Sequence, residues 1–267
     1  MKDNRFNTAR WTHGLALAAA VLVGGCATDS NPFGSGASVT ASDPTRLTQS
    51  GFLSNYSRLA PVSWTAGIQC WRKPDLDASK YDKVLISRMT IMLKPDQQKG
   101  VDPTDLKMLT DYFYNAMVTA LKPQMEVVEK PGPGVLGVRI ALTDLVPTDT
   151  SKSITGTLVP YAFVAEAGSG AATGRPAGST PYLGETGMEM QFIDGASETV
   201  IAECRDTEIG RKYAAELDSG ATGAAQTWAN GYVNSFQSWS YAKNAFDKWA
   251  ALTANRLEAL RGAASAK

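Results

Sequence analysis

Cysteine, histidine and carboxylate are the side chains through which most enzymes act, and this chain of 267 residues holds three cysteines and one histidine. The histidine, His13, falls in an N-terminal stretch that reads as a removable leader. The rest of the chain has no Ser-His-Asp or Cys-His arrangement to activate a nucleophile. It has no imidazole for zinc or for a two-histidine iron centre, and none to move protons near neutral pH. Chemistry by carboxylates alone remains. Glu185 and Glu189 lie near a loop end, and Glu198 and Glu203 on a returning strand. A glycan hydrolase needs two such acids about 5–10 Å apart. Glu189 and Glu203 read more simply as outward positions of half-buried strands. Neither a metal nor a cofactor is expected.

The first cysteine, Cys26, closes a short apolar run from Leu15 to Val23 that comes after Lys2, Arg5 and Arg10. The run is too short to span a bilayer, which takes about 20 apolar residues. A basic start, an apolar stretch of about 7–15 residues and small residues at the cut describe a secretory signal. Val23-Gly24-Gly25-Cys26 resembles the bacterial lipobox, in which the cysteine is lipidated and becomes the first residue. Several acyl chains on one cysteine anchor stably where a single chain does not. The residue after Cys26 is Ala27, not the Asp that by the same resemblance retains lipoproteins in the inner membrane. The expected address is the periplasmic leaflet of the outer membrane, with the membrane as one partner through the lipid.

The other two cysteines, Cys70 and Cys204, would meet an oxidising compartment there, where paired cysteines tend to form disulfides. A bridge between them closes a loop of about 135 residues and removes on the order of 4–5 kcal/mol of denatured-state entropy. Two free, buried thiols are the alternative. Charge is balanced, with 26 Lys+Arg against 26 Asp+Glu, and no basic excess points to nucleic acid. The apolar fraction, 43%, suits a packed core.

These residues need elements to hold them. Residues 1–25 read as the leader, and 26–50 as the lipidated cysteine and a flexible tether rich in Ser, Thr, Gly and Pro. Residues 51–267 read as one periplasmic domain. Residues 83–93 are strand-like, with Leu85, Met89, Ile91 and Leu93 on one face. A helix over 102–122 is capped by Asp102, carries Pro103 at its first position, and buries Leu109, Phe113 and Met117 among others. A short strand comes next at 125–129. Residues 135–147 alternate as a strand with one buried face, and 187–206 form a hairpin turning at Asp194-Gly195. The glycine-rich stretch 166–182 matches no phosphate-binding loop. Aromatic and apolar residues from Trp228 through Leu260 recur at helical spacing, with a break near Gln237-Ser238. This order predicts a single α+β domain, a mostly antiparallel sheet with helices packed on one face.

Four segments together carry a resemblance: "SGFLSNYSRL" (50–59), "VRIALTDLVP" (138–147), "MEMQFIDGASETVIAE" (188–203) and "AFDKWAALTANRL" (245–257). With the lipobox and tether ahead of them, they resemble the bacterial lipoproteins of domain-of-unknown-function family 3313 (DUF3313). The resemblance spans nearly all of the mature domain and implies no catalytic residue. It fits a non-enzymatic accessory protein that binds another protein of the cell envelope. Phe52, Leu53, Tyr56, Trp228, Tyr232 and Trp239 are the candidate contacts. The alternative is a carrier of a lipid or small apolar ligand, with Met188, Met190, Phe192 and Trp249 lining a pocket.

Overall fold

The computed structural model describes residues 38–149, 184–211 and 239–265. Cys26, Trp228 and Tyr232 lie outside them, as do the leader and the glycine-rich stretch. In chain order the elements are β1 (Ser38–Ala41), β2 (Ala60–Pro61), β3 (Gln69–Arg72), β4 (Lys83–Ile86), β5 (Thr90–Ile91), α1 (Pro95–Lys99), α2 (Pro103–Leu121), β6 (Glu126–Val127), β7 (Val135–Val146), β8 (Glu185–Asp194), β9 (Val200–Arg211) and α3 (Ser240–Ser265).

The long strands β7, β8 and β9 form an antiparallel centre, and the sheet runs in the order β2-β3-β9-β8-β7-β4-β6. β1 also pairs with β9, and β5 with β7. β4 and β5 join β7 in parallel, and α2 lies in the connection from β4 to β6. The fold is α+β, with a parallel margin on an antiparallel sheet. Near its start the sheet departs from the expected pattern. Residues 83–93 do not make one strand, and Val84 and Ile86 face the core while Leu85 is half-buried.

The helices cover one face. Asp102 accepts the Thr104 amide at 2.7 Å and Pro103 opens α2, as a helix start requires. Leu109, Phe113, Met117 and Leu121 recur every fourth residue and are fully buried. Phe113 stacks on Phe246 of α3 at 4.4 Å between ring centres, nearly parallel. α3 is tied to the sheet by a buried polar cluster as well. The Trp249 indole donates to Asp206 at 2.8 Å, and Lys248 reaches Glu208 at 2.9 Å. Burial, and then the charge of Asp206 beside it, push the Glu208 carboxyl up to about 8 against the pull of Lys248. Asp206 is raised too, chiefly by burial.

The opposite face, expected to be open, is covered. β7 is buried on both faces along most of its length, and Glu189 and Glu203 have no solvent exposure. The cover is the chain between β1 and β2. Residues 38–50, expected within a flexible tether, pair with β9 and then lie on the sheet. This strap survives there because its own polar groups answer the carboxylates beneath it. Ser50 donates its amide and its hydroxyl to Glu189 at 3.0 and 2.6 Å. The Tyr56 hydroxyl donates to the same carboxylate at 2.9 Å and accepts the Gly51 amide at 2.8 Å. Glu203 accepts the Ser54 amide, Arg58 and Gln191 at 2.6–2.8 Å. Burial works against the Glu203 charge, but these donors outweigh it and hold the carboxyl below its usual range. Arg46 pairs with Glu185 at 2.6 Å, and Arg58 lies 3.4 Å over the Trp71 ring.

The buried acids have measurable effects on stability. Glu208 keeps its proton to about pH 8 in the folded chain but titrates near 4.5 when free. Between those values the folded state binds the extra proton, so stability falls as pH rises through the window. Melting temperatures measured across it are expected to decline, and Glu208→Gln to flatten the decline. On the other face, Tyr56→Phe removes one donor from Glu189 and one acceptor from Gly51. We expect a loss of about 1–3 kcal/mol in urea denaturation and faster hydrogen exchange at the Gly51 amide.

Candidate functional site

Alternation along β8 turns Met188, Met190 and Phe192 toward the helix layer, and helical spacing brings Trp249, Leu252 and Leu257 of α3 to face them. They do not close fully. A cavity of about 220 Å³ remains between the sheet and the second half of α3. Cys70 and Cys204 sit in its wall. They are direct partners across the β3–β9 pair, 4.1 Å apart at Cα, and are joined as a disulfide. The expected bridge therefore forms, across 134 residues of sequence, and it ties β3 to the strand that floors the cavity.

At the mouth the lining changes character. Trp64 is 38% exposed, and the Arg256 guanidinium lies 5.6 Å over its ring. Arg72, the last residue of β3, completes the rim. Burial, and then the neighbouring charge of Arg72, pull Arg256 below its usual range. A second, wider depression of about 980 Å³ runs along the seam of α2 and α3. Its walls set Asn115, Thr119, Lys243, Asp247 and Glu258 beside several alanines.

The residues expected to line a carrier pocket, Met188, Met190, Phe192 and Trp249, are thus brought together. Of those expected to contact a partner, the four described residues are buried or half-buried. Leu53 is buried at 5% exposure, and the half-buried Tyr56 is held by Glu189 and the Gly51 amide. Phe52 is half-buried with the Arg139 guanidinium 5.3 Å from its ring. Trp239 is buried and donates its indole N–H to Asp105 of α2 at 2.8 Å. The apolar signature of the opening segment fastens the strap, and Trp239 fastens one helix to another. Glu185, Glu189 and Glu203 are occupied by the strap, and Glu198 sits in the β8–β9 turn with a φ of 55°. None of the four lines the cavity, so the paired-acid arrangement of a glycan hydrolase is not assembled there. Among the described residues no group of three His, Cys, Asp or Glu is placed to hold a metal, and no helix is long and apolar enough to cross a membrane. Sequence reading missed Trp64 and Arg256. Arg256 comes two helical turns after Trp249, which was the one available signal.

The model of a family described as a protein of unknown function (DUF3313) matches residues 48–231. An uncharacterized lipoprotein of Escherichia coli K12, YdcL, is 32% identical over 152 residues, 55% of this chain. The YdcL of Escherichia coli O157:H7 matches to the same extent. This chain spans 65% of the length of these curated relatives. Among solved structures, a PelC dodecamer from Paraburkholderia phytofirmans aligns at a TM-score of 0.29 and 10% identity, over 63% of this chain and 96% of that one. Protein XCC0632 from Xanthomonas campestris aligns at 0.24 and 9%, over 66% and 94%. The match over residues 48–231 takes in the strap from Thr48 onward, the disulfide and the β7–β8–β9 centre: the chain belongs to the DUF3313 family.

Proposed function

We propose that this protein is an envelope lipoprotein that binds a small apolar molecule without transforming it. On this reading Cys26 carries the lipid, and Ala27 after it directs the protein to the periplasmic leaflet of the outer membrane. The lipoprotein among its relatives supports the anchor. The single observation that carries the binding role is the apolar cavity of about 220 Å³ between sheet and α3. Closely packed interiors leave few voids larger than a water molecule. An apolar void of about 150 Å³ already takes a benzene ring. An apolar hole of this size with an open, charged rim has the form of a small-ligand site.

The mature chain from Ala27, exported behind a conventional cleavable leader, keeps every described element and needs no detergent. Titrated with the neutral fluorophore N-phenyl-1-naphthylamine, it is expected to bind one equivalent with a blue-shifted emission. Leu252→Trp, which fills the cavity from a half-buried position, should weaken that binding at least about tenfold while the melting temperature holds. An unchanged titration in the variant, or no binding by the parent, would overturn the cavity as a ligand site. Separately, metabolic labelling with palmitate is expected to tag the native protein and not Cys26→Ser. The labelled protein should sediment with outer membrane, and recovery with inner membrane would overturn the address.

A further inference from the structure

Several cations set against this sheet reach a carboxylate. Arg46 meets Glu185, Arg58 meets Glu203, Lys80 meets Asp194 and Lys248 meets Glu208, all at 2.6–2.9 Å. Arg72 and Arg256 at the cavity mouth do not. Among the described residues no carboxylate pairs with either. Both line the same cavity, Arg256 is half-buried, and burial and then the charge of Arg72 disfavour its charge. Two like charges at the edge of low-dielectric space repel more strongly than in water, and an anion set between them relieves both. Trp64 holds one face of Arg256, leaving its planar donors free to address an acceptor in fork geometry.

Behind this cationic rim lie Met190, Phe192, Ile201 and Leu257, with no charged group among them. A cation pair in front of an apolar hole matches one kind of ligand. Resting on the cavity reading above, we propose that the site takes a single-chain anionic amphiphile. Its carboxylate or phosphate head sits between Arg72 and Arg256, and its hydrocarbon tail enters the cavity. The volume, about 220 Å³, lies between a benzene-sized void of about 150 Å³ and the drug-sized pockets that begin near 300 Å³. It admits one chain of modest length and not the paired chains of a bilayer phospholipid.

The test displaces N-phenyl-1-naphthylamine from the mature chain with decanoate, decyl phosphate or decanol, which share a tail and differ in head. The more potent anion is expected to act at concentrations at least about tenfold below decanol. Which anion that is identifies the head as carboxylate or phosphate. Raising the salt should narrow the gap. Octanoate should be weaker than decanoate by about fourfold per missing methylene, as tail burial requires. In Arg72→Gln/Arg256→Gln the anions should fall to the level of decanol, whose own displacement stays unchanged. If decanol matches both anions on the native chain, the anionic head is overturned while the cavity stands. If the fluorophore itself does not bind, the cavity reading falls first. The comparison of heads uses the native chain alone, so it does not depend on the variant folding.

Discussion

Two carboxylates in the middle of the sheet, Glu189 and Glu203, set the terms for one whole side of this protein. Neither touches solvent. An ionised carboxylate without donors cannot stay in such a place, since its desolvation far exceeds what packing returns. Apart from Gln191, the donors come from a segment more than 130 residues earlier in the chain. The strap is therefore as much a part of the fold as the helices on the other face. Its serines, tyrosine and arginine are matched to the acids below, group by group.

The two faces of the sheet solve the same problem with different chemistry. The helix side is closed mainly by apolar contact, by the Phe113–Phe246 stack and the alternating residues of β7 and β8, with the Trp249–Asp206 and Lys248–Glu208 pairs added. The strap side is closed by charge-assisted hydrogen bonds, which are directional and shorter than neutral ones. Apolar packing tolerates gaps where shapes do not mesh, and the cavity lies on that side. A hydrogen-bonded layer tolerates few, because each missing partner leaves a charge unanswered.

Much of this was legible in sequence, and the division reflects the range of the signal. Helix α2 could be read nearly to the residue because Asp102, Pro103 and a four-residue apolar repeat are local marks. The alternation of β7, β8 and β9 was equally local, and it correctly set Met188, Met190 and Phe192 on one face. The burial of Glu189 and Glu203 was not legible, because what covers them is distant in sequence and polar in composition. Residues 38–50 look like a solvated tether for the same reason that they work as a cover: Ser, Thr and Arg are donors. The cavity was legible only in part. Its floor is set by strand alternation, but Trp64, Arg72 and Arg256 come from separate elements and meet only in three dimensions.

The disulfide adds an order of events. β3 is a strand of only four residues, and the β2 strand beyond it has two. With both thiols reduced, that edge of the sheet and the cavity wall it forms are held by a few backbone pairs. Once Cys70 and Cys204 are oxidised, the wall is fixed to β9 and the hollow behind it becomes a permanent feature. The cavity thus reaches its finished form only after these two thiols have been oxidised.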